Sequence, residues 1–172
     1  VTGVQTCALP ICPGTGAKDA IRRLTRTPGL RKMYSYKADI SNYFNSIPIE
    51  AFLPRLESAL ACDPELYAFL KRLLEEPEVL EGKARIREQK GIMAGTPLSA
   101  FYANLYLAPL DRTFHEAKIP YARYSDDIIL FADSREAAEE YAGNIRKYLT
   151  EQGLAINPAK EFFGTPADGF TF

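Results

Sequence analysis

The chain has one histidine and three cysteines, Cys7, Cys12 and Cys62, with no repeated Cys-x-x-Cys spacing. That leaves little scope for a zinc site of thiolates and imidazoles, and it points to free thiols in a reducing compartment. Long apolar runs are also missing: a stretch such as Ile128 to Ala132 is far short of the ~20 residues a membrane-spanning helix needs. There is no lipidation signal and no leader of secretory build, so the expected setting is the cytoplasm, with no membrane partner. Excess charge of either sign is lacking too, with 21 Lys and Arg against 22 Asp and Glu and a net charge of −1. Proteins that neutralise phosphates along a nucleic acid usually carry more positive charge. The positive charge present clusters early, at Lys18, Arg22, Arg23, Arg26, Arg31, Lys32 and Lys37, opposed only by Asp19. On composition alone such a run is equally a solvated helix face.

The 172 residues are 47% hydrophobic and 25% charged, which suits one domain around a single core. Residues 1–16 (VTGVQTCALPICPGTG) carry no charge and no steady period, and look like a translated sequencing adapter. They are set aside from fold reasoning. The other end stops inside an apolar, strand-like run, Gly169-Phe-Thr-Phe172. A fragment is expected, with residues 17–172 as its domain.

Met33 to Ile40 alternates and predicts a strand. Pro48 opens a helix to about residue 61, with Phe52, Leu53, Leu56 and Leu60 on one face. Asp63-Pro64 caps a second helix to about residue 75, with Leu66, Phe69, Leu70 and Leu73 inside. Residues 83–91 read as a charged, mobile hairpin. Thr96-Pro97 opens a helix to about residue 117 that Pro109 should kink or break. Ile119 to Tyr124 and Ile128 to Phe131 are strands around a tight acidic turn. Ser134 caps a long helix that Gly153 ends, and Leu154 to Ile156 is a short strand. This order predicts an α+β fold, an antiparallel sheet with helices on one face.

Two acidic features stand out. Tyr124-Ser-Asp-Asp127 sets adjacent carboxylates at the tip of an apolar hairpin, with no Gly or Asn following to mark an ordinary turn. Neighbouring carboxylates repel unless a cation lies between them, and hard divalent cations prefer carboxylate oxygen. Taken alone, an Asp-Asp turn is usually structural. Asp39 sits at the end of an apolar strand, within Lys37-Ala-Asp-Ile-Ser-Asn-Tyr-Phe-Asn-Ser-Ile47. A carboxylate there is costly unless it is a ligand or a cap. If the two strands pair, Asp39, Asp126 and Asp127 together could hold two metal ions.

These segments resemble the ordered motifs of reverse transcriptases. The Asp39 segment is similar to motif A and its Asp-x-x-x-aromatic-aromatic pattern, and Tyr124-Ser-Asp-Asp127 to the Tyr-x-Asp-Asp of motif C. The run from Gly91 to Leu107, followed by Leu110-Asp111, is similar to motif B; Gly153 to Lys160 to motif D; Gly169-Phe-Thr-Phe172 to the start of motif E. The resemblance covers roughly residues 18–172. Each motif alone is weak, but five in order are specific. Their style is that of bacterial retroelement enzymes: group II intron, retron, diversity-generating and defence-associated.

The resemblance implies a ferredoxin-like polymerase palm of about four antiparallel strands. It implies an RNA-directed DNA polymerase that uses an RNA template, a DNA or RNA primer and deoxynucleotides. Two Mg2+ ions, or Mn2+ in their place, would be held by Asp39 and Asp126, supported by Asp127 and the carbonyl of Ile40. Phe44, with Tyr43 beside it at the nucleotide site, would lie under the sugar and exclude a 2′-hydroxyl; the bland alternative is a plain core aromatic, and one of the two must be core in any case. Gly95, Pro97 and Ser99 would shape the turn beneath the incoming nucleotide, although the same residues would also open a helix. Lys160, otherwise a surface lysine, would protonate the leaving pyrophosphate. Ala94 and Ala100 stand where many relatives carry Gln and Pro; Ala94, a departure shared with diversity-generating enzymes, predicts relaxed fidelity. The fingers motifs and the thumb are missing, so little activity is expected of this chain alone. A nucleotidyl cyclase would want a Gly-Gly-acidic hairpin, an RNA-binding module would leave three carboxylates unexplained, and a decayed remnant would not be expected to keep them.

Overall fold

Along the chain run α1 (Ala17–Thr25), β1 (Tyr34–Asp39), α2 (Tyr43–Ser46), α3 (Ile49–Ala59), α4 (Pro64–Glu75), β2 (Glu78–Glu81), β3 (Ala84–Arg87), α5 (Ser99–Glu116), β4 (Tyr121–Tyr124), β5 (Asp127–Ala132), α6 (Arg135–Glu151) and β6 (Phe162–Gly164). The structure is a computed structural model that describes residues 17–76, 78–81, 84–87, 91–92, 96 and 98–166. Two compact units result: residues up to Ser41 with Leu107 onward, and Asn42–Tyr106.

In the first unit four strands form an antiparallel sheet in the order β4-β5-β1-β6. Numbered among themselves, these are the second, third, first and fourth strands, which is the ferredoxin-like order. Strand alternation assigns the faces, since directly paired residues share one. Tyr36 pairs with Leu130, and Leu130 with Tyr121. Tyr36 meets Arg146 of α6, and Tyr121 stacks on Phe114 of α5 with centroids 4.8 Å apart. Both helices therefore lie on that face. The opposite face carries Ile129 and Phe131, which pack with Ala122 and with Ala20 and Leu24 of α1. β5 is thus apolar on both faces, and Ile128 to Ala132 is an unbroken buried run. The early basic run lies partly on α1, where Lys18, Arg22 and Arg23 are exposed beside the buried Ala20 and Leu24.

The predicted strand at 154–156 is not formed. Only Ile156 bridges to Ile40, as the chain crosses the end of β1. Asn157-Pro158 then turns it, the Asn157 side chain accepting from the amide of Ala159 at 3.1 Å. The fourth strand is β6 instead. Tyr36 fastens it: its hydroxyl donates to Glu161 at 2.7 Å, Arg146 donates to the same oxygen at 2.8 Å, and its ring lies 4.8 Å from Phe163. Burial and the Glu161 contact push the Tyr36 phenol above its usual range.

In the second unit Phe52 and Leu56 of α3 are fully buried, with the rings of Tyr102 and Tyr106 edge-on to Phe52 at 5.5 and 6.0 Å. Arg55 lies over Tyr106, 4.5 Å from its centroid, and donates to its carbonyl. α4 begins at Asp63 as predicted, but its core face differs. Leu70 and Leu74 are buried, whereas Leu66, Phe69 and Leu73 are 39%, 58% and 46% exposed. The apolar residues of α4 span two adjacent helix faces, and only the one with Leu70 and Leu74 is buried among the described residues. The hairpin, β2 with β3, pairs Glu78 with Arg87 and Glu81 with Ala84, earlier than the predicted 83–91. α5 runs unbroken through Pro109. An interior proline costs about 3 kcal/mol. Tyr106, Leu107 and Leu110 beside it are all buried, and each such side chain contributes about 1.5–3 kcal/mol.

Candidate active site

β1 ends at Asp39 and β5 begins at Asp127, and antiparallel register sets these two opposite each other. Asp126 precedes them in a two-residue turn between Tyr124 and Asp127. Ser125, the other turn residue, has φ +56°, a left-handed conformation unusual for serine. The amide of Ile40 donates to the carbonyl of Asp126 at 3.0 Å, which ties the turn to the end of β1. The segment after α6 closes the other side: Ser41 donates to Ala155, and Asn157 to the carbonyl of Asp39, both at 2.8 Å. That crossing carries Lys160 to the site, its Nζ 2.9 Å from Oδ2 of the buried Asp39. Lys37 shares the Asp39 face by strand alternation, and its Nζ is 3.8 Å from Oδ1 of Asp127.

Electrostatics follow from this crowding. The Asp127 carboxyl is pushed above the usual carboxylate range, first by burial and further by Asp126 and Asp39, against the pull of Lys37 and Lys160. The Lys160 ammonium is held above the usual lysine range, first by its hydrogen bond to Asp39. Among the described residues no three His, Cys, Asp or Glu side chains stand ready-made around one ion. The donor chemistry nevertheless fits a hard divalent cation: three carboxylates crowd one sheet end, and two ammonium groups occupy the position of positive charge.

Asp39, Ile40, Asp126, Asp127 and Lys160 thus share one end of one unit. Tyr43, Phe44 and Ser99 belong to the other. Tyr43 is buried, its hydroxyl donating to the carbonyl of Ala103 at 2.5 Å, whereas Phe44 is half-buried. The Phe44 carbonyl accepts from the amide of Ile92 at 2.8 Å. Gly91 beside it has φ +67° and lies against the Asn45 backbone, where a Cβ would collide. The buried Ser99 opens α5, its Oγ accepting from the amide of Thr96 at 3.1 Å in a capping-box relation. Ala94, Gly95, Pro97 and Gly169–Phe172 lie outside the described residues.

Sequence reasoning passed over Lys37, although it stands two residues before Asp39 and so on the same strand face. It placed Asp111 only as the end of the motif B-like run, and it gave no role to Arg123. These form a fully buried ion pair at 2.6 Å. No local pattern marks it, because one partner is on a strand and the other on a helix.

Residues 13–172 match the family model for reverse transcriptase (RNA-dependent DNA polymerase), starting inside the stretch set aside above. The Pol polyprotein of the type-1 retrotransposable element R2 of Nasonia vitripennis is 33% identical over 92 residues, 48% of this chain and 9% of that protein. Apo telomerase from Candida tropicalis superposes with a TM-score of 0.66 at 14% identity, over 89% of this chain and 32% of that one. Candida albicans telomerase, in complex with a fragment of telomeric RNA, gives 0.63 at 13% identity, over 85% and 30%. The chain therefore spans about a third or less of these proteins. The likeness to telomerase bears out the expected palm fold, and the family match over nearly the whole chain shows that this chain belongs to the reverse transcriptase family.

Proposed function

We propose that this chain is the catalytic palm of an RNA-directed DNA polymerase, which adds deoxynucleotides to a primer 3′-hydroxyl along an RNA template. The observation that carries the reading is the meeting of Asp39 and Asp127 across paired strands, with Asp126 in the adjoining turn. Asp39 and Asp126 would hold the divalent ions, with Asp127 and the Ile40 carbonyl supporting. Bound Mg2+, or Mn2+ in its place, would make the primer hydroxyl more acidic and offset charge on the leaving oxygen. Lys160, kept charged by Asp39, is suited to give a proton to the departing pyrophosphate. With Tyr43 committed to the core, Phe44 is the aromatic left to test for a 2′-hydroxyl. Ser99, anchored to Thr96, would help shape the turn from which α5 starts.

The much greater length of the relatives supports activity in a longer polymerase, whose other parts grip the triphosphate and the duplex. The motif style supports a bacterial retroelement enzyme working in the cytoplasm. The test is Mg2+- or Mn2+-dependent primer extension on an RNA template by a polymerase that includes fingers and thumb. Deoxynucleotide extension should be abolished by Asp126→Ala with Asp127→Ala. Equal extension by that variant, or none by the unaltered enzyme, overturns the proposal.

A further inference from the structure

We propose that Arg123 and Asp111 form a buried clamp that sets the position of the carboxylate turn, which makes Arg123 a positioning residue for the reaction; the inference rests on the metal-site reading above. Arg123 lies on β4 and shares a sheet face with Tyr121, the face opposite Asp39 and Asp127. Its guanidinium grips Asp111 of α5 through two bonds, Nε to Oδ1 at 2.9 Å and Nη2 to Oδ2 at 2.6 Å. The remaining nitrogen, Nη1, donates to the carbonyl of Ser125 at 2.8 Å. Tyr121 completes the set, its hydroxyl donating to Oδ1 of Asp111 at 2.9 Å and its ring stacked on Phe114.

Fold stability alone does not account for this pair. Both side chains are 0% exposed, and removing two charges from water is costly. Apolar residues of similar volume generally serve a core as well or better. The turn, by contrast, has a use for the clamp. A two-residue hairpin turn with a left-handed first residue favours glycine there, yet the position holds Ser125 at φ +56°. Both peptide groups flanking Asp126 are tied. The Ser125 carbonyl is held from α5 through Arg123, and the Asp126 carbonyl is held from β1 through the Ile40 amide. Turning either peptide would swing the Asp126 carboxylate relative to Asp39. Only a planar fork with a third donor can grip a carboxylate twice and hold a carbonyl as well; a lysine has the charge but not the geometry.

The test is Mn2+ binding to this chain, read from the loss of the free-ion electron paramagnetic resonance signal. The variants are Arg123→Met with Asp111→Leu, Arg123→Lys, and Asp126→Ala with Asp127→Ala as the reference for a lost site. The apolar pair should fold, with unchanged circular dichroism and a melting temperature no lower than wild type, while Mn2+ binds about 10-fold or more weakly. Merely structural residues would give wild-type affinity once the fold is kept, and that result overturns the clamp. Should the apolar pair fail to fold, Arg123→Lys carries the comparison at a temperature where it is folded. It too should lose about 10-fold, and wild-type affinity in it overturns the clamp. No Mn2+ binding by the wild-type chain overturns the metal-site reading itself and the clamp with it, so the two failures are distinguishable.

Discussion

Helices α6 and α4 begin alike and end up in different situations. Each is capped by an oxygen that accepts an amide three residues on, Ser134 from Ala137 at 3.1 Å and Asp63 from Leu66 at 3.0 Å. Each repeats apolar residues at helical spacing. α6 buries its whole stripe, with Ala138, Ala142, Ile145 and Leu149 all 0% exposed against the sheet. α4 buries Leu70 and Leu74 but leaves Leu66, Phe69 and Leu73 outside. Caps and period are local properties, satisfied within one helix turn. Burial is not local: it requires a second surface, and the small alanines of α6 let its backbone approach the sheet.

The largest effect that would sharpen this contrast is Ile145→Ala. With no room to collapse beneath α6 it should cost about 2–5 kcal/mol in urea unfolding; a loss under 1 kcal/mol would mean that the α6 stripe is loosely packed. Next come the caps. Ser134→Ala and Asp63→Ala should each cost about 1 kcal/mol, equal within error, because the interaction is the same at both ends. A much larger loss at one would show that its cap is coupled to tertiary packing. Smallest should be Phe69→Ser, within about 0.5 kcal/mol of wild type. A loss approaching that of Ile145→Ala would break the contrast by showing the outer face of α4 to be covered.

The same division runs through the candidate site. Asp39, Asp126 and Asp127 could be singled out as candidates only in combination, because a carboxylate at the end of an apolar strand and an Asp-Asp turn are each usually structural alone. Lys160 was legible only through the resemblance, since a lysine after Asn157-Pro158 looks like any surface lysine until the chain crosses β1 and brings it to Asp39. The edge strand was misplaced for a related reason. Leu154 to Ile156 is as apolar as β6, and which of them pairs with β1 depends on the turn at Asn157 and on Tyr36 fastening Glu161. Pro109 misled in the other direction, because a local cost was outweighed by the burial of its neighbours.

By itself, then, the sequence determined what adjacent residues can settle among themselves: the alternation of β1, the caps of α4 and α6, the acidic turn, and the order of motifs that marks the family. Tertiary structure alone decided which apolar face is covered, which segment becomes the fourth strand, that Lys37 meets Asp127 and Lys160 meets Asp39, and that Arg123 grips Asp111 of α5. Those outcomes depend on distances between residues far apart in the chain. Such distances are set by the packing of whole elements, and no short window of sequence contains both partners.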